Sequence, residues 1–148
     1  MFSARFPPEI RSAMVLRRSI YMSELRPDQL ATLKLCCRAL DDKKAEAIKV
    51  LEVGEVSSIT DYLIIASGTS APHLRALTQE VAQVLKDNDV HVIGKDVTNE
   101  SGWNVVDAFD IVVHLFLPET RDYFRLDSLW KDATEISLER LLPVESRS

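Results

Sequence analysis

An almost uninterrupted apolar run near the middle of the chain limits its possible folds more than any other feature. Residues 60–66 read Thr-Asp-Tyr-Leu-Ile-Ile-Ala, with four large apolar side chains in succession. A strand with one solvent-exposed face would alternate apolar and polar residues, so this run predicts a central strand that is buried on both faces. The sequence Ser-Gly-Thr-Ser at 67–70 then interrupts the strand, and Ser70 can cap the helix that follows.

The remaining hydrophobic pattern predicts the elements that complete such a sheet. Apolar stripes at helical spacing predict helices around residues 30–40, 74–85 and 123–133. Short apolar runs predict strands at residues 48–53, 60–66, 90–93, 103–106 and 111–117, of which the last two form a hairpin. This order of elements predicts an α/β (α+β) fold, in which a mixed five-stranded sheet is flanked by helices and one crossover is right-handed.

The chain of 148 residues suits one domain, and we assign it to residues 23–142, followed by a loose tail at 143–148. Residues 1–22 are interpreted as an N-terminal extension that is disordered. They carry four arginines against one glutamate, a net charge of +3. Such a segment is typical of an organellar transit peptide, but a start placed too far upstream explains it equally well.

The charge of the remaining chain favours a basic protein partner. Residues 23–148 carry 14 basic and 22 acidic side chains, a net charge of −8. A body this acidic repels nucleic acid in general, so we expect no direct sequence-specific contact with nucleic acid. No apolar run approaches the roughly 20 residues that span a bilayer, and we expect no membrane contact.

The residues that could carry chemistry do not form a catalytic set. Cys36 and Cys37 are adjacent on a predicted helix, which indicates core packing in a reducing compartment. The histidines lack metal-ligand spacing, and no Asp-x-Asp occurs on a strand, which leaves Asp61 alone at a strand start. The 67–70 loop could hold a phosphate, yet it has neither a Walker pattern nor G-x-G-x-x-G, and a turn with an N-cap explains it. We therefore predict no catalytic residues, no metal site and no cofactor.

Interface-type side chains are concentrated on the predicted hairpin. A tryptophan beside a turn can be a core residue or an interface anchor, and nearby carboxylates can pair with lysine or arginine of a basic partner. A histidine in the middle of a strand is structural when it is hydrogen-bonded, whereas an exposed one could serve an interface. The predicted partner-binding residues are Trp103, Asp107, Phe109, Asp110 and His114.

Several separated blocks of the chain resemble the Iojap-like ribosomal silencing factors. These blocks are residues 41–45, 57–70, 103–116 and 121–130, and the match covers roughly residues 30–134. One position departs from the pattern, because the family often reads Asp-Tyr-Gly-Asp where this chain has Asp107-Ala108-Phe109-Asp110. Glycine reaches positive φ cheaply and phenylalanine does not, so we expect a different turn here. Successive strand residues face opposite sides, so the family's tyrosine contact does not transfer simply to Phe109.

The resemblance implies a fold similar to a nucleotidyltransferase core without its catalytic carboxylates, and a protein that is not an enzyme. It also implies binding to ribosomal protein number fourteen of the large subunit, obstruction of small-subunit joining under nutrient limitation, and homodimers in some members. We therefore expect a cytoplasmic bacterial translation repressor. The alternatives are an organellar ribosome assembly factor, in mitochondria or plastids if residues 1–22 are a transit peptide, and a divergent nucleotidyltransferase or nucleotide-binding protein.

Overall fold

The structure, a computed structural model, describes residues 27–54, 60–96, 102–108 and 110–142. The predicted extension at 1–22 and the tail at 143–148 lie outside these residues and stay predictions. In chain order the elements are α1 (Pro27–Asp42), β1 (Glu46–Glu52), β2 (Tyr62–Ser67), α2 (Ala71–Asp87), β3 (Gly94–Asp96), β4 (Trp103–Ala108), β5 (Ile111–Phe116), α3 (Pro118–Phe124), α4 (Leu126–Leu129), β6 (Thr134–Ile136) and α5 (Leu138–Leu141).

The strands form one mixed sheet in the order β3-β4-β5-β2-β1-β6. β2 and β5 are parallel neighbours at its centre, and the other pairs are antiparallel. All six residues of β2 are buried, as its continuous apolar run predicts. The predicted α/β fold with a mixed sheet flanked by helices is confirmed. The sheet has six strands rather than five, because β6 pairs with β1 at Val50 and Ile136.

Helices cover the two faces of the sheet unequally. On one face, α1 and α2 bury a large cluster that includes Leu33, Leu77 and Val113. On the other face, which we call the aromatic face, a smaller cluster forms around Leu63, Val112, Trp103 and Phe116, with side chains of α3 and α4 packed on it.

The two cysteines of α1 lie in the larger core, as their helical position predicts. Cys36 and Cys37 are both fully buried. Burial, and secondarily the charge of Asp41, raises the pKa of Cys37 to about 12, and burial also raises the pKa of Cys36. Because the thiolate is the nucleophile, these pKa values leave both side chains unreactive at neutral pH.

The structure corrects the third predicted strand. Residues 90–93 do not form a strand, and β3 begins only at Gly94. The chain is still turning away from α2 at 90–93: Asp89 has a φ of 61°, and the Val90 N–H donates to the Leu85 carbonyl. Ladder pairing becomes possible where Gly94 comes opposite Asp107.

The predicted closing helix at 123–133 is also wrong, because it is broken into α3 and α4. Arg125 lies between them with a φ of 51°, in the left-handed region that no continuous helix tolerates. The break turns Leu126 into the sheet, where it is buried, and leaves Tyr123 exposed.

The hairpin is closer to its prediction. β4 extends to Ala108, so the connection between β4 and β5 is shorter than the predicted 107–110 turn.

Candidate functional site

The centre of the candidate site is a buried hydrogen bond between two neighbouring strands. Trp103 of β4 donates its Nε1–H to Nδ1 of His114 on β5, at 3.0 Å. Since Nδ1 accepts, the geometry assigns the ring proton of His114 to Nε2. The His114 side chain is completely buried, and this burial lowers its pKa to about 3. The imidazole is therefore neutral at physiological pH, where it serves as an acceptor for Trp103.

A chain of aromatic rings connects this buried pair to the surface. The Trp103 ring lies 4.9 Å from both Phe116 and Phe124, measured between ring centroids. Phe124 in turn meets Tyr123 edge-on at 5.0 Å. Tyr123 is 81% exposed, and it and Leu129 are the exposed large hydrophobic residues in the part of the chain that the structure describes. Such ring pairs add stability beyond the area that they bury.

The structure places three of the predicted partner-binding residues on the same face of the sheet, but inside the fold. Trp103 is 8% exposed, Asp107 1% and His114 0%. Strand alternation puts Asp107 on the same face as Trp103, and the pairing of Asp107 with Val112 keeps it on the aromatic face. The expectation that the Asp107 carboxylate is accessible to a partner is therefore corrected. The same burial makes His114 the hydrogen-bonded structural histidine.

The other two predicted residues lie at the end of the hairpin. Phe109 lies outside the described residues. Asp110 is half-buried, and its carbonyl accepts hydrogen bonds from the Asp61 and Tyr62 N–H groups and from the Thr60 hydroxyl. These bonds attach the hairpin to the start of β2. A role of any of the five residues in partner binding stays a prediction.

Sequence reasoning missed the residue that holds α3 and α4 on the sheet. Arg121 makes two hydrogen bonds to the Asp127 carboxylate, at 3.2 and 2.9 Å. Its Nη1 also donates to the Ala47 carbonyl and to the Ser67 hydroxyl, each at 2.9 Å. Burial alone would raise the pKa of Asp127, but the hydrogen bonds and charge of Arg121, with a smaller contribution from Lys49, hold it below its ordinary value. One side chain thus joins α3, α4, β1 and β2.

We expect Arg121→Ala to lower the free energy of unfolding by about 1–3 kcal/mol, because the buried Ser67 hydroxyl and the partly buried Asp127 carboxylate lose their donor. The matched control is Arg125→Ala, which removes an exposed arginine four residues away and should change stability little. Urea unfolding followed by circular dichroism measures both variants. Equal stabilities of Arg121→Ala and Arg125→Ala would contradict the assigned role.

The 67–70 loop is held by its own chain, as a turn with an N-cap requires. The Ser70 hydroxyl accepts the His73 N–H, and His73 Nδ1 accepts the Thr69 N–H at 2.9 Å. Gly68 allows the close packing of strand on helix, since a Cβ there would lie 3.2 Å from the Leu74 backbone. The backbone N–H groups of Gly68, Thr69 and His73 therefore donate to acceptors within the protein.

The carboxylate at the start of β2 also has a structural partner. Asp61 is 6% exposed, and its Oδ2 accepts a hydrogen bond from Gln29 Nε2 at 3.1 Å. The contact joins α1 to the start of β2. Among the residues that the structure describes, no group of three or more His, Cys, Asp or Glu side chains could hold a metal ion.

Comparison with known proteins agrees with this architecture. The sequence pattern of a family described as "Ribosomal silencing factor during starvation" (RsfS) matches residues 26–148. The chain belongs to this family. The RsfS protein of Bacillus subtilis is 35% identical over 106 residues, which cover 72% of this chain and 90% of that protein. A crystal structure of a Chromobacterium violaceum protein superposes with a TM-score of 0.65 at 34% identity, covering 72% of this chain and 88% of that one.

RsfS relatives with organellar names are similar as well. The chloroplastic protein Iojap of Arabidopsis thaliana is 31% identical over 121 residues, which cover 82% of this chain. The chain spans less than half the length of that relative, at 49%.

Within the described residues, no helix is both long enough and apolar enough to cross a bilayer.

Proposed function

We propose that this RsfS-family protein docks on the large ribosomal subunit, through the basic ribosomal protein number fourteen, and hinders joining of the small subunit. Translation then falls when nutrients are limiting, in the bacterial cytoplasm, and no catalytic turnover is involved. The observation that supports a docking role is the aromatic chain that ends in the exposed Tyr123. An aromatic side chain held from behind by packed rings is a pre-organised anchor, and such residues dominate protein interfaces.

The proposed docking surface combines the end of the β4–β5 hairpin with the outer side of α3 and α4. Asp110, with Phe109 beside it, would meet lysine or arginine of the basic partner, and Tyr123 and Leu129 would supply apolar contact. The net charge of −8 over residues 23–148 favours encounter with a basic protein. In this proposal Trp103, Asp107 and His114 act from inside, by holding the hairpin and α3 in position.

We expect Tyr123→Ala to weaken binding to purified large subunits by more than tenfold, which corresponds to a loss of about 2 kcal/mol at an interface anchor. Tyr123→Phe is the matched variant and should bind nearly as well as wild type, since it keeps the ring. Both variants should keep the melting temperature, because the side chain is 81% exposed. Co-sedimentation with separated subunits measures the binding, and subunit joining measures its consequence.

Asp110→Lys extends this experiment to the hairpin. The charge reversal should preserve the fold, weaken co-sedimentation and restore subunit joining. Asp107 is unsuitable for charge reversal, because a lysine at this buried position would unfold the hairpin. If folded Tyr123→Ala and Asp110→Lys both bind like wild type, docking uses another surface.

A second candidate function, assembly of an organellar ribosome, is favoured by one relative. A mouse protein named "Mitochondrial assembly of ribosomal large subunit protein 1" is 37% identical over 97 residues, which cover 62% of this chain and 41% of that protein. Both functions use a large-subunit surface. Sequencing the N-termini of the precursor and of the mature protein from its source would discriminate between them. A precursor that carries residues 1–22 and a mature protein that lacks them indicate import, whereas synthesis that begins at Met22 does not.

A further inference from the structure

A groove runs along the β3 edge of the sheet, beside the β4–β5 hairpin but on the α2 side of the sheet, opposite the aromatic face. It consists of two adjoining recesses of about 550 and 520 Å³ between the C-terminal half of α2 and the β3 edge of the sheet. Both recesses share Lys86 and Lys95 in their lining, and Lys43 extends the positive charge beyond the end of α1. Val90 and Val92 line one of the two recesses.

The three lysines of the groove keep their charges available for a ligand, unlike Lys49 and Arg121. Lys43, Lys86 and Lys95 are exposed, and none of the three forms an ion pair among the described residues. By contrast, Lys49 and Arg121 on the opposite part of the sheet both pair with Asp127. A charge that is satisfied within the fold needs no ligand, whereas the groove concentrates three that are left to solvent.

We infer that this groove binds the phosphate backbone of RNA on the large ribosomal subunit. The inference rests on the proposed docking and adds a second contact to it. A basic ribosomal protein cannot be the occupant, since the lysines would repel it. Lysine acts as a compact point charge that suits phosphate oxygens without reading bases, so the contact is independent of RNA sequence.

Two carboxylates limit where the phosphates lie. Glu80 and Asp89 also line the groove, so the positive charge is localised around Lys86 and Lys95, which both recesses share, and is not spread evenly. The acidic body around the groove repels RNA elsewhere. Together these charges favour a short contact with few phosphates, made in a fixed orientation while the protein partner holds the chain in place.

The test uses the full chain and purified large subunits, with the dissociation constant measured at several potassium chloride concentrations. Lys86→Gln/Lys95→Gln should weaken binding severalfold and reduce the slope of log Kd against log salt by about one unit per lysine. The matched control, Lys34→Gln/Arg140→Gln, removes the same charge from exposed positions outside the groove and should leave the slope unchanged. Glu80→Gln should tighten binding.

A binding experiment with the isolated basic ribosomal protein separates the inference from the proposed function. The groove variant should bind this RNA-free partner as well as wild type does. If it loses affinity there too, the groove contacts protein and the RNA inference is wrong. If wild type binds large subunits and both double variants keep its salt slope, the inference fails while docking stands. If wild type does not bind large subunits at all, the proposed function and the inference both fail.

Discussion

Trp103→Ala is expected to lower the free energy of unfolding by about 3–5 kcal/mol, the range typical of a large aromatic side chain removed from a core. Trp103 packs against Phe116 and Phe124 at 4.9 Å each, and its indole N–H is the donor to His114. The substitution therefore leaves a cavity on the aromatic face and a buried acceptor without this donor. Urea unfolding followed by circular dichroism gives the free energy without relying on the lost fluorophore.

Trp103→Phe separates the two contributions of that side chain. It keeps an aromatic ring between Phe116 and Phe124 but removes the donor to His114, and this loss alone should cost about 1–3 kcal/mol. A Trp103→Ala protein that is nearly as stable as wild type would contradict the core assignment. If that variant also failed to bind large subunits, Trp103 would be an interface anchor instead.

The second large effect is a loss of stability in acid that depends on His114. Its pKa is about 3 in the folded chain and about 6.5 when unfolded, so between these values the unfolded chain binds the proton and the folded chain does not. Stability from this group is therefore complete above pH 6.5 and falls as the pH drops, by about 1.4 kcal/mol per pH unit. Over the whole window the loss is on the order of 4 kcal/mol.

His114→Asn isolates this contribution. The asparagine carbonyl can accept the Trp103 N–H but cannot titrate. Between pH 6.5 and 4.5 the free energy of unfolding of wild type should fall by roughly 2–3 kcal/mol more than that of the variant. This range avoids Asp127, whose lowered pKa moves its own acid-sensitive window further down. Parallel pH profiles of the two proteins would show that His114 takes up its proton while folded.

The sequence alone was sufficient for the elements whose signals are local. The continuous apolar run of β2, the stripe of α2 and the Ser70 cap each lie within a few turns of chain, and the structure has all of them. Family membership could be predicted for the same reason, since each of the blocks that resemble the family is a short local stretch of sequence. The lack of an Asp-x-Asp pair on a predicted strand and the acidic net charge likewise follow from the sequence alone.

The candidate site could be predicted only in part. The sequence identified the hairpin and left Trp103 open between core and interface, because an indole ring suits either environment. It did not identify Arg121, whose partners include the Ala47 carbonyl and Ser67, residues far away in sequence. A bond to a backbone carbonyl has no residue-type signature, so no motif could have found it.

Tertiary structure alone decided the remaining features, because they depend on partners from distant parts of the chain. β3 and β6 have three residues each, too few for periodicity, and they are strands because β4 and β1 offer hydrogen bonds to them. The left-handed Arg125 breaks a stripe that reads as one helix. The burial of Asp107 follows from its place on the aromatic face of the sheet. The sequence therefore determined the central sheet and its family, whereas long-range pairing and packing decided which of its polar and aromatic side chains reach the surface.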